Sequence, residues 1–120
     1  MYLSRFVVGA CGTAAVEAML LDRFMVTLYR GTFLEWHIYK MLTHTDFVAI
    51  PNVLAGKMLF PELLQEDATS ANVIRAVKRY LGDEQYRAGV HEQIALNRTM
   101  MGESGTAERW AKAIAELVKR

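Results

Sequence analysis

Apolar positions fall in two regimes along this chain. In the first fifty residues they gather in short runs of strand length: Phe6-Val7-Val8, then Phe24-Met25-Val26-Thr27-Leu28-Tyr29, then Phe47-Val48-Ala49-Ile50 behind Asp46. Runs this short and this continuously apolar suit strands buried on both faces of a parallel sheet. Between them the period lengthens. Thr13 to Leu21 carries Val16, Met19 and Leu20 at helical spacing. Phe33 to Leu42, with Thr32 as a plausible N-cap, is apolar at Phe33, Trp36, Ile38, Tyr39, Met41 and Leu42. Strand, helix, strand, helix, strand in this order predicts a parallel sheet with right-handed crossovers.

The second regime is helical. Pro51 is expected to stop the third strand, and Asn52 to Phe60 reads as an irregular apolar loop. Pro61 then opens a short helix with Glu62 in its first turn, where a carboxylate suits the dipole. Thr69 or Ser70 caps a helix through Leu81, striped by Val73, Ile74, Val77 and Tyr80, and Gly82 ends it. Asp83 to Asn97 is striped by Tyr86, Val90 and Ile94. After a break at Met100 to Gly105, Thr106 to Arg120 places Trp110, Ala113, Ile114, Leu117 and Val118 on an inward face.

At 120 residues the chain is one domain at most. It reads as a single incomplete domain over 1–120, with strand and helix alternation over 1–68 and helices over 69–120. Three parallel strands are few for a doubly wound domain, and the first would leave an open edge, so further strands are expected before Met1. The net charge of +1 comes from 14 basic and 13 acidic residues without a long run of either sign, which disfavours nucleic acid as a partner. The single cysteine, Cys11, cannot form an internal disulfide, and a reducing cytoplasm is expected. Only five residues separate Arg5 from Cys11, too few for the ~7 to 15 of an export signal's apolar region.

The stretch with the most chemistry is Phe6 to Glu17. Its strand runs into Gly9 and Gly12, and the helix that follows offers free N–H groups at its start, where an anion such as a phosphate fits. Glu17 lies one helical turn beyond Thr13, about 6 Å along the axis. A hydroxyl and backbone N–H groups meeting a diphosphate, with the carboxylate on ribose hydroxyls, is one reading; a strand, a glycine turn and a surface glutamate is the other. Elsewhere, a metal site of His37, His44 and Asp46 has loose spacing and no third histidine or cysteine nearby. His91 reads as a helix-surface residue and Cys11 as small-residue packing rather than a nucleophile. Arg75, Lys78 and Arg79, with Lys112, Lys119 and Arg120, read as solvated faces or as contacts to anionic lipid. The apolar loop from Val53 to Phe60 either touches a bilayer or packs under the terminal helices.

The blocks Cys11 to Glu17, Tyr29-Arg30, Ile50 to Gly56 and Pro61 to Glu66 together resemble the C-terminal part of lipid-A-disaccharide synthase, a glycosyltransferase of the GT-B fold, over essentially the whole chain. The fold this implies is α/β: a partial Rossmann-like parallel sheet of about three strands followed by C-terminal helices. The activity it implies is transfer of 2,3-diacylglucosamine from UDP-2,3-diacylglucosamine to 2,3-diacylglucosamine 1-phosphate, without metal or other cofactor, at the cytoplasmic face of the inner membrane of a Gram-negative bacterium. Matched by motif, Gly12 and Thr13 would lie near the diphosphate, Glu17 near the ribose, and Asn52, just after the third strand, near the sugar or its phosphate. Gln65 and Glu66 match as loop support or ligand contact.

The resemblance also marks departures. Cys11 stands where members usually have serine, which leaves a weaker donor beside the phosphates. The acceptor domain, with the acidic general base, is expected outside this chain, so the lipid acceptor would be held by that domain and no catalytic residue is assigned here. The isolated chain is accordingly expected to be inactive. Members dimerise through exchanged C-terminal segments, so a homodimer and a peripheral membrane contact are implied as well. The alternative reading is an inactive remnant, a self-associating α/β module without enzyme activity.

Overall fold

The computed structural model describes residues 1–32, 45–102 and 105–118. The helix expected over Phe33 to Leu42, with His37 and His44, lies outside the described residues. Strand β1 (Phe6–Ala10) leads into helix α1 (Thr13–Leu20), and β2 (Phe24–Tyr29) follows after a turn at Asp22. Helix α2 (Ile50–Ala55) and β3 (Glu62–Leu64) come next. A 3-10 turn (Gln65–Asp67) joins β3 to α3 (Ser70–Gly82), α4 (Glu84–Met100) and α5 (Thr106–Val118). The three strands form one parallel sheet in the order β1-β2-β3, the partial Rossmann-like arrangement with trailing helices that the resemblance implies.

As the central strand, β2 carries the core. Phe24, Met25, Val26 and Thr27 are all fully buried, which is why their run is apolar on both faces of the pleat rather than alternating. Phe24 stacks on Tyr80 of α3 with ring centroids 4.2 Å apart and meets Phe60 edge-on at 6.1 Å. From α1 it is Ala15, Ala18 and Met19 that are buried, while Leu20 stays half-exposed, so the inward stripe is rotated by one position from the expected one. Val90 and Ile94 of α4 complete the core, as their spacing predicts.

Helix boundaries follow local chemistry. The Thr69 hydroxyl accepts the N–H of Asn72 at 3.3 Å and starts α3. Asp83 serves both neighbours: its N–H closes α3 on the Arg79 carbonyl at 2.9 Å, and its carboxylate accepts the Tyr86 N–H at 2.8 Å to open α4. One residue suffices for that junction.

Three expectations are corrected. Asp46 to Ile50 is not a strand: the segment 45–49 is irregular and Ile50 begins α2, with Pro51 in its first turn, where a missing N–H costs nothing. The place beside β2 belongs to Glu62–Leu64, registered Thr27 to Glu62, Leu28 to Leu63 and Tyr29 to Leu64, so Pro61 precedes a strand and Glu62 sits in the sheet. The Thr27 N–H bonds the Pro61 carbonyl at 2.9 Å, a pairing that a donor-less proline can make on its acceptor side. Thirdly, α5 turns no residue inward: Trp110 is 67% exposed and Leu117 69%. No other described element covers that face.

These assignments set a contrast in stability. Replacing Phe24→Ala removes its ring contacts with Phe60, Tyr80 and Tyr86 and is expected to cost about 3 kcal/mol or more in urea unfolding. Trp110→Ala on α5 is expected to change it by less than about 0.5 kcal/mol.

Candidate functional site

The carboxyl ends of β1, β2 and β3 lie side by side, and each leads into a loop: Cys11-Gly12, Arg30 to Thr32, and Gln65 to Asp67. This edge of a parallel sheet is where backbone groups and loop side chains become available to a ligand. The Cys11 N–H still bonds the Leu28 carbonyl at 2.9 Å, so the ladder continues to the first residue of its loop.

Gly12 is the N-cap of α1, exposed and extended, and its carbonyl takes the Ala15 N–H at 3.0 Å. No side chain caps this helix, which leaves its first N–H groups facing outward with the positive end of the dipole behind them. A Cβ placed on Gly12 would meet no protein atom within 4 Å. Packing among the described residues therefore does not demand glycine here. Thr13 is exposed beside it. Glu17, one turn further, is also exposed, and its carboxylate has no hydrogen bond or ion pair among the described residues. Gly12, Thr13 and Glu17 thus come together on one accessible face.

Asn52 is placed differently. It sits inside α2 rather than after a strand, fully buried. Its Oδ1 accepts the N–H groups of Leu59 at 3.0 Å and Phe60 at 2.7 Å. Its Nδ2 donates to the Phe60 carbonyl at 2.7 Å and to Glu62 Oε1 at 2.8 Å, with Met58 Sδ at 3.4 Å. An amide with its acceptor and donors engaged in this way shapes the loop from within, instead of presenting itself to a sugar.

Gln65 supports a loop as well. It adopts a left-handed φ of 52°, and its Oε1 accepts the Gly31 N–H at 3.1 Å, joining the loop after β3 to the loop after β2. Glu66 is exposed in the 3-10 turn and is not part of that link.

The residue that sequence reasoning missed is Glu62. From β3 its carboxylate accepts the N–H groups of Val48 at 2.9 Å and Ala49 at 2.8 Å, besides the Asn52 amide. It fixes the segment before α2 against the sheet edge. Its only sequence signal is the block Pro61 to Glu66 itself, because three residues are too few for a strand period to show. Burial, and next the Glu62 carboxylate, push the Cys11 thiol up from its ordinary value, with a hydrogen bond from Thr27 acting the other way. A thiol held protonated is a poor nucleophile, in keeping with its packing role. Among the described residues no group of histidine, cysteine and carboxylates is arranged to hold a metal, and no helix is long and apolar enough to cross a membrane.

Comparison with known proteins gives a consistent picture. A family model described as lipid-A-disaccharide synthetase matches residues 1–116. The lipid-A-disaccharide synthase of Chromohalobacter salexigens is 39% identical over 110 residues, covering 91% of this chain and 28% of that protein. That of Methylobacillus flagellatus is 33% identical over 119 residues, covering 99% of this chain and 31% of that protein. That of Cellvibrio japonicus is 39% identical over 111 residues, covering 92% and 28%. The chain therefore spans about three-tenths of the length of these curated relatives.

The position of Cys11 sets its reactivity. Alkylation by iodoacetamide at pH 8 is expected to be slower than that of free cysteine and to rise about tenfold per pH unit toward the raised pKa, following the thiolate fraction. Glu62→Gln, which removes the nearby negative charge, is expected to speed it. Mass spectrometry of the modified chain against time measures both.

Proposed function

Because the chain belongs to the lipid-A-disaccharide synthetase family, we propose that it is the C-terminal, UDP-sugar-binding portion of such an enzyme and that the carboxyl edge of its sheet holds the donor, UDP-2,3-diacylglucosamine. The observation that carries this reading is the exposed start of α1 at that edge, which among the described residues has no side-chain cap, with the Glu17 carboxylate one turn along the same helix and without a partner among those residues.

In this proposal the first N–H groups of α1 and the Thr13 hydroxyl donate to the diphosphate. The open space at Gly12 lets the phosphate approach the backbone, and Glu17 accepts from the ribose hydroxyls. Asn52, Glu62 and Gln65 act behind this surface by holding the loops that frame it. The diphosphate is the leaving group when the acceptor hydroxyl attacks the sugar's anomeric carbon. Donors aimed at its oxygens stabilise the charge that develops as the bond to the sugar breaks. Deprotonation of the acceptor hydroxyl, and the binding of 2,3-diacylglucosamine 1-phosphate, fall to a domain outside this chain, so the 120 residues alone are inactive in transfer. The whole enzyme would work against the cytoplasmic face of the inner membrane, where both lipid substrates reside.

A second reading is favoured by one specific observation. The apolar face of α5 is uncovered among the described residues, with Trp110 67%, Ile114 54% and Leu117 69% exposed. This supports self-association of an α/β module that has no enzyme activity, and it is equally compatible with a homodimer of the enzyme. Nucleotide binding separates the two functions where a dimer alone does not.

Calorimetric titration with UDP is expected to show saturable binding, weakened about tenfold by Glu17→Ala through the loss of charge-assisted hydrogen bonds. Gly12→Ala is expected to weaken binding while changing the unfolding free energy by less than about 0.5 kcal/mol, since the added methyl meets only open space. Absence of UDP binding, together with a concentration-dependent dimer, would favour the second reading.

A further inference from the structure

The opposite edge of the sheet carries a second concentration of charge. Arg5 immediately precedes β1, and Asp22-Arg23 immediately precede β2. Arg87 and His91 stand one turn apart on α4, and Tyr80 ends the buried part of α3. These six side chains line one cavity of about 330 Å³.

The three guanidinium groups in it have no carboxylate within ion-pair distance among the described residues, and the carboxylate of Asp22 is hydrogen-bonded to His91. Asp22, the carboxylate in the cavity wall, is held by His91 Nδ1 at 2.7 Å, and the other ring nitrogen of His91 lies 2.9 Å from the Tyr80 hydroxyl. Arg23 donates to the carbonyls of Asp22 at 3.0 Å and Tyr2 at 3.1 Å. Arg87 donates to the Leu81 carbonyl at 3.1 Å. Those bonds use part of each fork and fix its position. Arg5 is exposed, and its side chain makes no hydrogen bond among the described residues.

A chain with a net charge of only +1 therefore gathers three guanidiniums around one opening, against the single carboxylate of Asp22. Guanidinium forks match the paired oxygens of a phosphate, and forks already anchored on carbonyls lose little freedom on binding one. Convergence on a cavity rather than along a stripe suits a single phosphate group and not a polynucleotide. We propose that this cavity is a second anion site, distinct from the nucleotide edge, which takes the phosphate of a monoester. That phosphate belongs either to a soluble molecule or to a lipid headgroup; Tyr2 and Leu3, at 73% and 98% exposure, stand beside the opening.

The test titrates the 120-residue chain with inorganic phosphate while arginine side-chain and imidazole signals are followed by NMR. A parallel arm measures cosedimentation with phosphatidylcholine vesicles with and without phosphatidic acid. Saturable shifts at Arg5, Arg23 and Arg87 are expected. Arg5→Ala and Arg87→Ala are each expected to weaken phosphate binding about tenfold. Arg75→Ala, on α3 outside this cavity, is expected to leave it unchanged.

The Arg5 side chain is exposed and has no hydrogen bond among the described residues, so its removal is expected to leave the fold intact, and Arg87→Lys, which keeps charge but loses the fork, is expected to fall between wild type and Arg87→Ala. Phosphate binding with cosedimentation that needs phosphatidic acid, lost in the same variants, assigns the site to a lipid headgroup; phosphate binding without it assigns a soluble monoester. No saturable shift at these arginines, or equal weakening by Arg75→Ala, would overturn the site. UDP binding is expected to be unaffected by Arg5→Ala, so this result and that for the nucleotide edge fail independently.

Discussion

The pairing of the buried Asn52 amide with the partly buried Glu62 carboxylate is the constraint on which the functional edge depends. Through it, the Val48 and Ala49 N–H groups, the turn at Leu59-Phe60 and the short strand β3 are tied into one unit. Because the carboxylate gathers those donors, the chain before α2 is drawn to the sheet without becoming a strand, and Glu62–Leu64 takes the place beside β2. Opening the pair would leave several buried polar groups unsatisfied at about 1 to 3 kcal/mol each, a large share of a small domain's stability. The same carboxylate raises the Cys11 thiol, so it reaches electrostatically into the first loop as well.

With those loops fixed from behind, the front of the edge is left to Gly12, Thr13 and Glu17. All three are exposed, and among the described residues no side chain caps α1. In the proposed function this separation has a physical purpose: the supporting groups are consumed by internal hydrogen bonds, while the ligand-facing groups are not. Among the described residues, β1 is one outer strand of the sheet and the apolar face of α5 is uncovered.

Periodicity made the long elements legible. The runs at Phe6 and Phe24 became β1 and β2, and the stripes at Tyr80, Val90 and Ile94 became buried faces of α3 and α4. The capping residue Thr69 was legible from its type. What failed was local pattern under tertiary control. Phe47 to Ile50 has strand composition, yet a carboxylate 13 residues away from Ala49 takes its N–H groups. Glu62–Leu64 is too short to show a period, and Glu62 read naturally as a first-turn acid. The stripe of α5 was recognised as amphipathic, but composition could not say whether anything covers it. For the site, residue type pointed to the accessible trio, whereas the burial of Asn52 was hidden because an asparagine looks the same whether it binds a ligand or a loop.

Amide chemical-shift mapping of the 120-residue chain on addition of UDP tests the central claim most directly. The account predicts that the largest shifts occur at the backbone N–H groups of Gly12, Thr13 and Ala14, with the side-chain amide of Asn52 almost unmoved because it remains bonded inside the loop. A response dominated by the Asn52 side-chain amide, with the start of α1 unaffected, would contradict it.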